Sequence, residues 1–342
     1  MNSAAPRRVV RCTIAGETYC IDNQWLDSIH VIENLYPRKG QDGSIGWIRR
    51  FDEKVPVYRL ADQLSRDPHP PKPHGVILVI EKNQRAWALL VDKVSAASEV
   101  APERVFPMPS MMGETAHSRF PWVIVDGGEL TLNLAPDHVV PGEVSGVSPG
   151  QIMAPEVPAV FRNLPPPARS QPPTQKDAPA AQRQSPRQIV TFALAHTQRL
   201  PYPIRFAVSA GQALEIVNEL PMIQVPEAPP FASALASWRA LPVPVVDLGS
   251  WLGLPPAPYR PGARLLVCRA AGGRADNSLI AIPGVEDIRK LDLPIACTPW
   301  SEGITWNASL ALGIYLAERG MLVVPDLDAI IGFHGPAGRY RM

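Results

Sequence analysis

Histidine, cysteine and aspartate are the residues of this chain whose chemistry suits catalysis or metal binding. The seven histidines are scattered between His30 and His334, and the chain contains no H-E-x-x-H, G-x-S-x-G, Walker A or G-x-G-x-x-G pattern. The four cysteines form no C-x-x-C pair, and their spacing fits no zinc site: Cys12, Cys20, Cys268 and Cys297. We therefore predict no catalytic residue, no bound metal and no cofactor.

Three features leave a chemical and a structural interpretation open. Asp326 and Asp328 in VVPDLDAI are either a metal-binding pair or, at a strand-to-helix transition, the cap of a helix. The glycines of AAGGRADN (270–277) form either a phosphate-binding loop or, between two strands, a flexible hairpin loop. The cysteines are either buried thiols or redox and metal groups. The structural interpretation is favoured in each case.

The balance of charge and hydropathy excludes several classes of protein. The 33 basic and 32 acidic residues give a net charge of +1, which lacks the clustered basic excess of a nucleic-acid-binding surface. No apolar run is long enough for a signal peptide or for a membrane span of about 20 residues. We expect a cytoplasmic protein that neither binds nucleic acid nor inserts into a membrane.

Length and turn spacing predict two domains built from short strands. The 342 residues correspond to two domains at roughly 150 residues each, and the 40 prolines exclude long helices from much of the chain. Short apolar runs alternate with turns such as Ala15-Gly16 and Gly127-Gly128 at hairpin spacing. This rhythm predicts an all-β fold of small barrels or a sandwich, with a few short helices.

The two halves of the chain repeat each other. Five matches in order carry the repeat. They are Tyr19–Asp22 with Phe206–Ser209 at an offset of 187, Val55–Val57 with Val243–Val245 at 188, Ile77–Val79 with Leu265–Val267 at 188, Val94 with Val285 at 191, and Asn133-Leu134 with Asp326-Leu327 at 193. The offset grows slowly and never reverses, which is typical of a duplicated domain with small loop insertions.

The segment between the halves differs in composition. Pro141–Arg187 contains NLPPPARSQPPTQKDAPAAQRQSPR, which is rich in proline, glutamine and alanine and lacks the apolar residues needed for a core. It predicts a semi-extended tether. The alternative is a docking peptide for an SH3- or WW-type groove, with PPPARSQPP as the candidate motif.

The second copy carries a motif of a known family. Trp238–Leu248 reads WRALPVPVVDL and continues to Leu252-Gly253, which resembles the segment L-R-G-x-x-x-P-V-x-D-L-x-x-x-L-G of CheW-type chemotaxis coupling domains. The first copy resembles the family in other segments: Glu17–Asp22, Leu90–Val94 and Val105–Pro109. The resemblance identifies a tandem CheW-like protein, covers about 9–140 and 188–332, and is weaker in the first copy.

Each copy departs from the family pattern at a different place. Arg59 replaces the family aspartate in the first copy, and Ala240 and Ile282-Pro283 replace the family's glycine and Val-Asp in the second. Either each copy has retained one interface and relaxed another, or the differences are ordinary divergence.

The resemblance implies a specific architecture. Each CheW-like domain is expected to be a pair of small five-stranded SH3-like β-barrels around a shared core. The implied division is a divergent CheW-like domain over 1–141, a flexible linker over 142–187, a second CheW-like domain over 188–334 and a tail over 335–342.

The resemblance also implies a function. In this family one barrel docks on the regulatory domain of a CheA-type histidine kinase, which has the same fold. A groove between the barrels binds the helical tip of a chemoreceptor. We therefore expect a non-enzymatic adaptor, located in the cytoplasm near receptor arrays, with further CheW-like domains as additional candidate partners. The alternatives are a scaffold for pilus-based motility or polar localisation, and a small-ligand sensor or enzyme on a barrel frame.

The candidate partner-binding residues follow from the same resemblance. Arg239 is the first candidate for a contact, and Arg49 or Arg50 is its counterpart in the first copy. Apolar residues of two strands are candidates for the receptor groove, although core packing is an alternative for them: Ile29, Val31, Ile216 and Val217. Asp92 and Asp247 complete the set, and Asp247 either contacts a partner, caps a helix or pairs with an arginine such as Arg239.

Overall fold

The computed structural model of the chain describes residues 6–38, 43–64, 75–138, 188–195, 197, 203–254, 262–270, 279–293, 298–299, 311–317 and 320–333. Within these ranges the chain forms four β-sheets and a few short helices. The predicted linker (142–187), with its PPPARSQPP motif, and the predicted tail (335–342) lie outside the described residues. The AAGGRADN loop lies outside them as well, except for its first residue.

The first half contains two sheets, here called barrel 1a and barrel 1b. Barrel 1a combines strands from both ends of this half: β1 (Arg7–Ile14), β2 (Glu17–Asp22), β9 (Lys93–Val94), β10 (Ser98–Val100), β11 (Val105–Pro107), β12 (Trp122–Asp126) and β13 (Glu129–Asn133). Barrel 1b lies between them in sequence: β3 (Leu26–Val31), β4 (Tyr36–Pro37), β5 (Gly46–Arg50), β6 (Glu53–Arg59), β7 (Val76–Lys82) and β8 (Arg85–Val91).

The second half repeats this arrangement as barrels 2a and 2b. Barrel 2a contains β14 (Gln188–Leu194), β15 (Ile204–Ser209), β22 (Val285–Asp292), β23 (Thr298–Pro299), β24 (Ala311–Ala317) and β25 (Gly320–Pro325). Barrel 2b contains β16 (Ala213–Val217), β17 (Met222–Gln224), β18 (Ala234–Trp238), β19 (Leu241–Val245), β20 (Leu265–Arg269) and β21 (Leu279–Pro283). The helices are α1 (Leu60–Leu64), α2 (Glu114–Arg119), α3 (Leu248–Trp251) and α4 (Leu327–Ile331).

The two halves share one topology, which confirms the predicted duplication and all-β class. Barrel 1b has the strand order β3-β7-β8-β6-β5-β4, and barrel 2b has the corresponding order β16-β20-β21-β19-β18-β17. The equivalent pairs β2–β13 and β15–β25 are both parallel, as are β6–β8 and β19–β21. Among the described residues, barrels 1b, 2a and 2b each have five strands of at least five residues plus one short strand.

Strand alternation divides the apolar residues between two kinds of core. In β7, Ile77 and Val79 point into barrel 1b, whereas Leu78 and Ile80 point outward into a larger cluster shared with barrel 1a. Successive side chains of a strand lie on opposite faces, so a strand that is covered on both sides must be a continuous apolar run. This explains the sequence VILVI in β7.

The shared cluster also joins the two domains. Strands β12 and β13 of barrel 1a lie against β17, β18 and β19 of barrel 2b. Next to this contact, Arg119 of α2 donates a hydrogen bond to Glu227, with a nitrogen–oxygen distance of 2.7 Å. A Cβ on Gly113 would lie 3.4 Å from the Pro229 ring, an ordinary van der Waals distance, so these two segments pack against each other.

We predict that Phe120→Ala lowers the free energy of unfolding by about 3–5 kcal/mol, because a large cavity replaces a fully buried ring. Phe120 has no exposed surface, and its ring stacks on Tyr19 with 6.0 Å between the ring centroids. Chemical unfolding monitored by tryptophan fluorescence measures the effect. Phe51→Ala is the matched control, because Phe51 is 88% exposed, and it should change stability by less than about 0.5 kcal/mol. Equal effects of the two substitutions would contradict the core assignment.

Candidate protein-binding surfaces

Barrels 1b and 2b expose apolar residues on equivalent edge strands. β3 and β16 each lie at one edge of their sheet. Ile29 of β3 pairs with Leu78, and Ile216 of β16 pairs with Leu266, so the two isoleucines occupy the same position in the two copies. Ile29 is 51% exposed and Ile216 is 48% exposed. An exposed edge with apolar side chains is suited to binding another protein.

The neighbouring residues on these strands extend both surfaces. Val31, two residues after Ile29, is exposed on the same face of β3, and Leu214 is exposed on β16. Val217 is only half-buried and packs against the interior cluster of barrel 2b. The core alternative is therefore wrong for Ile29, Val31 and Ile216 and holds in part for Val217. The reason is that β3 and β16 direct their opposite face towards the barrel interior, so the side chains of Ile29, Val31 and Ile216 lie on the outer face.

Arg50 is the centre of an ionic network on the surface of barrel 1b. It donates two hydrogen bonds to the carboxylate of Asp27 at 2.9 and 2.7 Å, and it also contacts Glu81. The hydrogen bonds from Arg50 hold the pKa of Asp27 below its ordinary value. The network joins β5 to β3 and β7, so Arg50 is held within the sheet rather than extended towards solvent. Arg49 is more exposed, and its contacts are with the adjacent turn residues Phe51 and Asp52.

Arg239 has a different position, at the tip of the β18–β19 hairpin. Its guanidinium lies 4.6 Å from the ring centroid of Trp238 and pairs with Glu215 at 3.0 Å. The indole of Trp238 donates a hydrogen bond to the same carboxylate at 2.9 Å. The arginine side chain remains 69% exposed, so it is oriented by its neighbours and still accessible to a partner.

The strand register shows which residue of the first copy corresponds to Arg239. Trp238 pairs with Leu241 across its hairpin, as Arg50 pairs with Glu53, so Trp238 corresponds to Arg50. The residue equivalent to Arg239 is therefore Phe51, and neither Arg49 nor Arg50 occupies that position. The expected correspondence was displaced by one or two residues because the arginines of the first copy precede the turn.

The two candidate aspartates stabilise turns. Asp247 caps α3: its carboxylate accepts hydrogen bonds from the backbone of Gly249 at 2.9 Å and from the hydroxyl of Ser250 at 2.8 Å. Asp92 accepts a hydrogen bond from the backbone of Ala15 at 2.9 Å, which holds the β1–β2 turn. Arg59, at the position equivalent to Asp247, instead pairs with Asp62 one turn into α1 at 3.6 Å.

Asp326 and the described cysteines, which were candidates for metal or redox chemistry, have structural roles. Asp326 caps α4 by accepting a hydrogen bond from the backbone of Ala329 at 3.0 Å. Burial raises the pKa of the Cys20 and Cys268 thiols to about 12 and raises that of Cys12 as well, which disfavours the reactive thiolate. Within the described ranges no three His, Cys, Asp or Glu side chains are grouped as a metal site. The same ranges include no helix with the length and apolar character required to cross a bilayer.

The duplicated fold agrees with a comparison to known protein families. The model of the CheW-like domain family matches residues 8–142 and 188–333. The chain therefore belongs to the CheW-like domain family, in two copies. Family membership supports a scaffold role in chemosensory signalling rather than catalysis.

One solved structure resembles part of the chain. The crystal structure of the scaffolding protein TtCheW from Thermoanaerobacter tengcongensis is similar at 16% identity with a TM-score of 0.34, covering 38% of this chain and 90% of that chain. No curated protein matches the chain.

Sequence reasoning missed three features of these surfaces: Leu214, Phe51 and the bond between Trp238 and Glu215. Leu214 and Ile216 follow a period of two on β16, and that signal was available in the sequence ALEIV. The hydrogen bond between Trp238 and Glu215 joins residues 23 positions apart, and it depends on the curvature that brings β18 close to β16. No sequence pattern indicates it.

We predict that Arg50→Gln raises the pKa of Asp27 towards its ordinary value, because the charged hydrogen-bond donor is removed. The lowered pKa stabilises the fold above the ordinary carboxyl range, and this contribution is lost as the pH falls through the lowered value. NMR titration of the Asp27 carboxyl carbon measures the shift. Arg49→Gln is the control and should leave that titration unchanged. An unaltered titration in Arg50→Gln would exclude this network.

Proposed function

We propose that the protein is an adaptor of a chemosensory array that holds a CheA-type histidine kinase beside the cytoplasmic tip of a chemoreceptor. The supporting observation is that two CheW-like domains expose apolar residues, Ile29 and Ile216, on equivalent edge strands. The adaptor would act in the cytoplasm, next to the membrane that carries the receptors.

The proposed role needs binding and geometry, without bond chemistry. An adaptor that binds kinase and receptor together raises the effective concentration of each near the other. If the bound receptor changes conformation, it favours one arrangement of the complex over another. The free-energy difference between these arrangements couples the receptor to the kinase. Two domains in one chain provide two such sets of surfaces.

The exposed edge strands are suited to the receptor tip. A helical hairpin can place an apolar stripe into a groove, with residues at helical spacing as anchors. Ile29 and Val31 in one copy, and Leu214 and Ile216 in the other, provide apolar surface for such a stripe. The ionic network around Arg50 borders the first of these surfaces and would favour one orientation of the bound helix.

Arg239 is the proposed contact for the kinase or for the charged rim of the receptor. Exposed arginines with an ordered stem are frequent centres of binding energy at protein interfaces. The stacking on Trp238 and the ion pair with Glu215 reduce the entropy that the side chain loses on binding. Asp247 and Asp92 contribute indirectly, by holding the turns beside these strands.

The proposed domain limits remain 1–141 and 188–334, with a linker over 142–187. The family match, over 8–142 and 188–333, supports these limits. A flexible tether would not fix the relative position of the two domains. Their arrangement would then depend on the contacts between the domains and on bound partners.

We predict that Arg239→Glu weakens association with the kinase or receptor by about tenfold or more without altering the melting temperature. Charge reversal removes the donor and introduces repulsion, whereas the exposed position tolerates the change in the fold. Pull-down and calorimetry with the purified kinase and receptor tip measure binding. Arg289→Glu is the matched control, because Arg289 is 59% exposed and pairs with Asp287 at 2.9 Å. Unchanged binding in Arg239→Glu would exclude Arg239 from the site.

We also predict that Ile29→Glu and Ile216→Glu each weaken receptor binding by about tenfold or more, and that the double substitution weakens it further. A carboxylate placed in an apolar contact must be desolvated when the partner binds. Co-sedimentation with receptor-tip fragments measures the effect, with Leu293→Glu as a control at another exposed apolar position. If the control weakens binding as much as the two test variants, the edge strands are not the receptor site.

A further inference from the structure

Barrel 1b carries a stacked aromatic pair on its outer face. Tyr36 of β4 pairs with Trp47 of β5, and their rings stack with 4.2 Å between centroids and 9° between the ring planes. Tyr36 is 52% exposed and Trp47 is half-buried. A Cβ on Gly46 would lie 2.5 Å from the Tyr36 carbonyl oxygen, so glycine at this position allows β4 to lie this close to β5. The backbone therefore holds the two rings in contact.

The surroundings of the pair suit a narrow ligand that carries a negative charge. Trp47 pairs with Pro56 of β6, which is also half-buried, so the exposed surface is small and centres on Tyr36. The Lys54 ammonium lies 4.7 Å from the centroid of the Trp47 ring. Arg49, two residues after Trp47 and hence on the same side of β5, has a side chain that is 69% exposed. Aromatic surfaces of this kind bind P-x-x-P segments, and the two cations favour a segment with a carboxylate.

One segment of the linker has the matching chemistry. Residues 152–161 read IMAPEVPAVF and contain a P-x-x-P pattern at Pro155 and Pro158. A polyproline II helix has three residues per turn, so in that conformation four apolar residues would share one side: Ile152, Pro155, Pro158 and Phe161. Glu156 is the only charged residue of this segment. The segment therefore combines an apolar side for the rings with one carboxylate for the cations.

The second proline-rich motif of the linker fits this face less well. Arg169 is the only charged residue of PPPARSQPP, and its charge has the same sign as those of Lys54 and Arg49. Like charges at close range disfavour binding. Charge thus selects residues 152–161 as the occupant.

The path of the chain brings this segment within reach of the pair. The described residues of the first domain end at His138, and the preceding Asp137 forms an ion pair with Lys82 at the end of β7. Because β6 and β8 are parallel, the start of β6 lies at the same end of barrel 1b as the β7–β8 turn. In the sheet order, β4 is three strands from β8, which is roughly 15 Å. The 13 residues between His138 and Ile152 can span about 45 Å.

We propose that residues 152–161 of the linker bind the Tyr36–Trp47 pair of barrel 1b within the same chain. The two prolines pack on the rings, and the Glu156 carboxylate pairs with Lys54. A short connection gives an effective concentration in about the millimolar range, so even a weak contact of this kind is populated. The tether between the domains is then limited to the remainder of the linker. This proposal does not depend on the kinase or the receptor.

NMR spectra of the full-length chain with labelled tryptophan test the proposal. The chain has eight tryptophans, and the indole N–H signal of Trp47 is identified as the one lost in Trp47→Phe. The double variant Pro155→Ala and Pro158→Ala should shift this signal, and added IMAPEVPAVF peptide should shift it back. Introducing Tyr36→Ala into the double variant should weaken peptide binding by about tenfold or more. The wild type should not respond to the peptide, because its own segment occupies the pair.

The matched control is Pro166→Ala with Pro172→Ala in PPPARSQPP, which should leave the Trp47 signal unchanged. An identical Trp47 signal in the wild type and in the Pro155→Ala, Pro158→Ala variant would overturn the proposal, as would a control that shifts the signal equally. A wild-type signal that moves on dilution would show that the segment comes from a second copy, which contradicts binding within one chain. Melting curves establish that Tyr36→Ala is folded, and the linker variants test the contact if it is not.

Discussion

The structure depends on covering the outward faces of small β-barrels. A sheet such as β7–β8 places half of its apolar side chains inside its own barrel and half outside, and the outward half must be buried by another element. The partner barrel of the same domain belongs to the same buried cluster and provides part of this cover. In this chain the cover continues from one domain to the other, where Phe120, Met112 and Phe231 belong to a single buried cluster. The position of each exposed surface is set by where this cover ends.

The same constraint explains how two copies of one fold differ. Ile223, Leu235 and Pro244 pair across β17, β18 and β19 and are buried. Their equivalents in barrel 1b are an exposed Tyr36 and a half-buried Trp47 and Pro56. Aliphatic side chains suit a permanent contact, because the folded chain does not expose them to water. The unfavourable free energy of hydrating their apolar surface therefore does not arise. Tyrosine and tryptophan combine apolar area with polar groups and tolerate exposure between binding events. The backbone register is the same in the two sets of residues.

Most of the fold could be predicted from the sequence, and less of the candidate site. The repeat of Val55–Val57 as Val243–Val245 gave the duplication, and the hairpin spacing gave the strands, because both signals are local. The caps formed by Asp247 and Asp326 were also predictable, since a cap needs only a few neighbouring residues. The exposure of Ile29 was not, because alternation identifies two faces of a strand without showing which face is covered. The packing of the two domains involves residues more than a hundred positions apart.

Electrostatics distinguishes the two copies further. In the first copy Arg50 pairs with Asp27 and Glu81 within the sheet, and the ring of Phe51 is exposed at the hairpin tip. In the second copy tryptophan occupies the position of Arg50, and the charge moves to the tip as Arg239. A shift of one residue along a hairpin thus exchanges an apolar tip for a cationic one on the same scaffold. Selectivity between partners is a difference of binding free energies, and two tips of such different chemistry would favour different partners on the two domains.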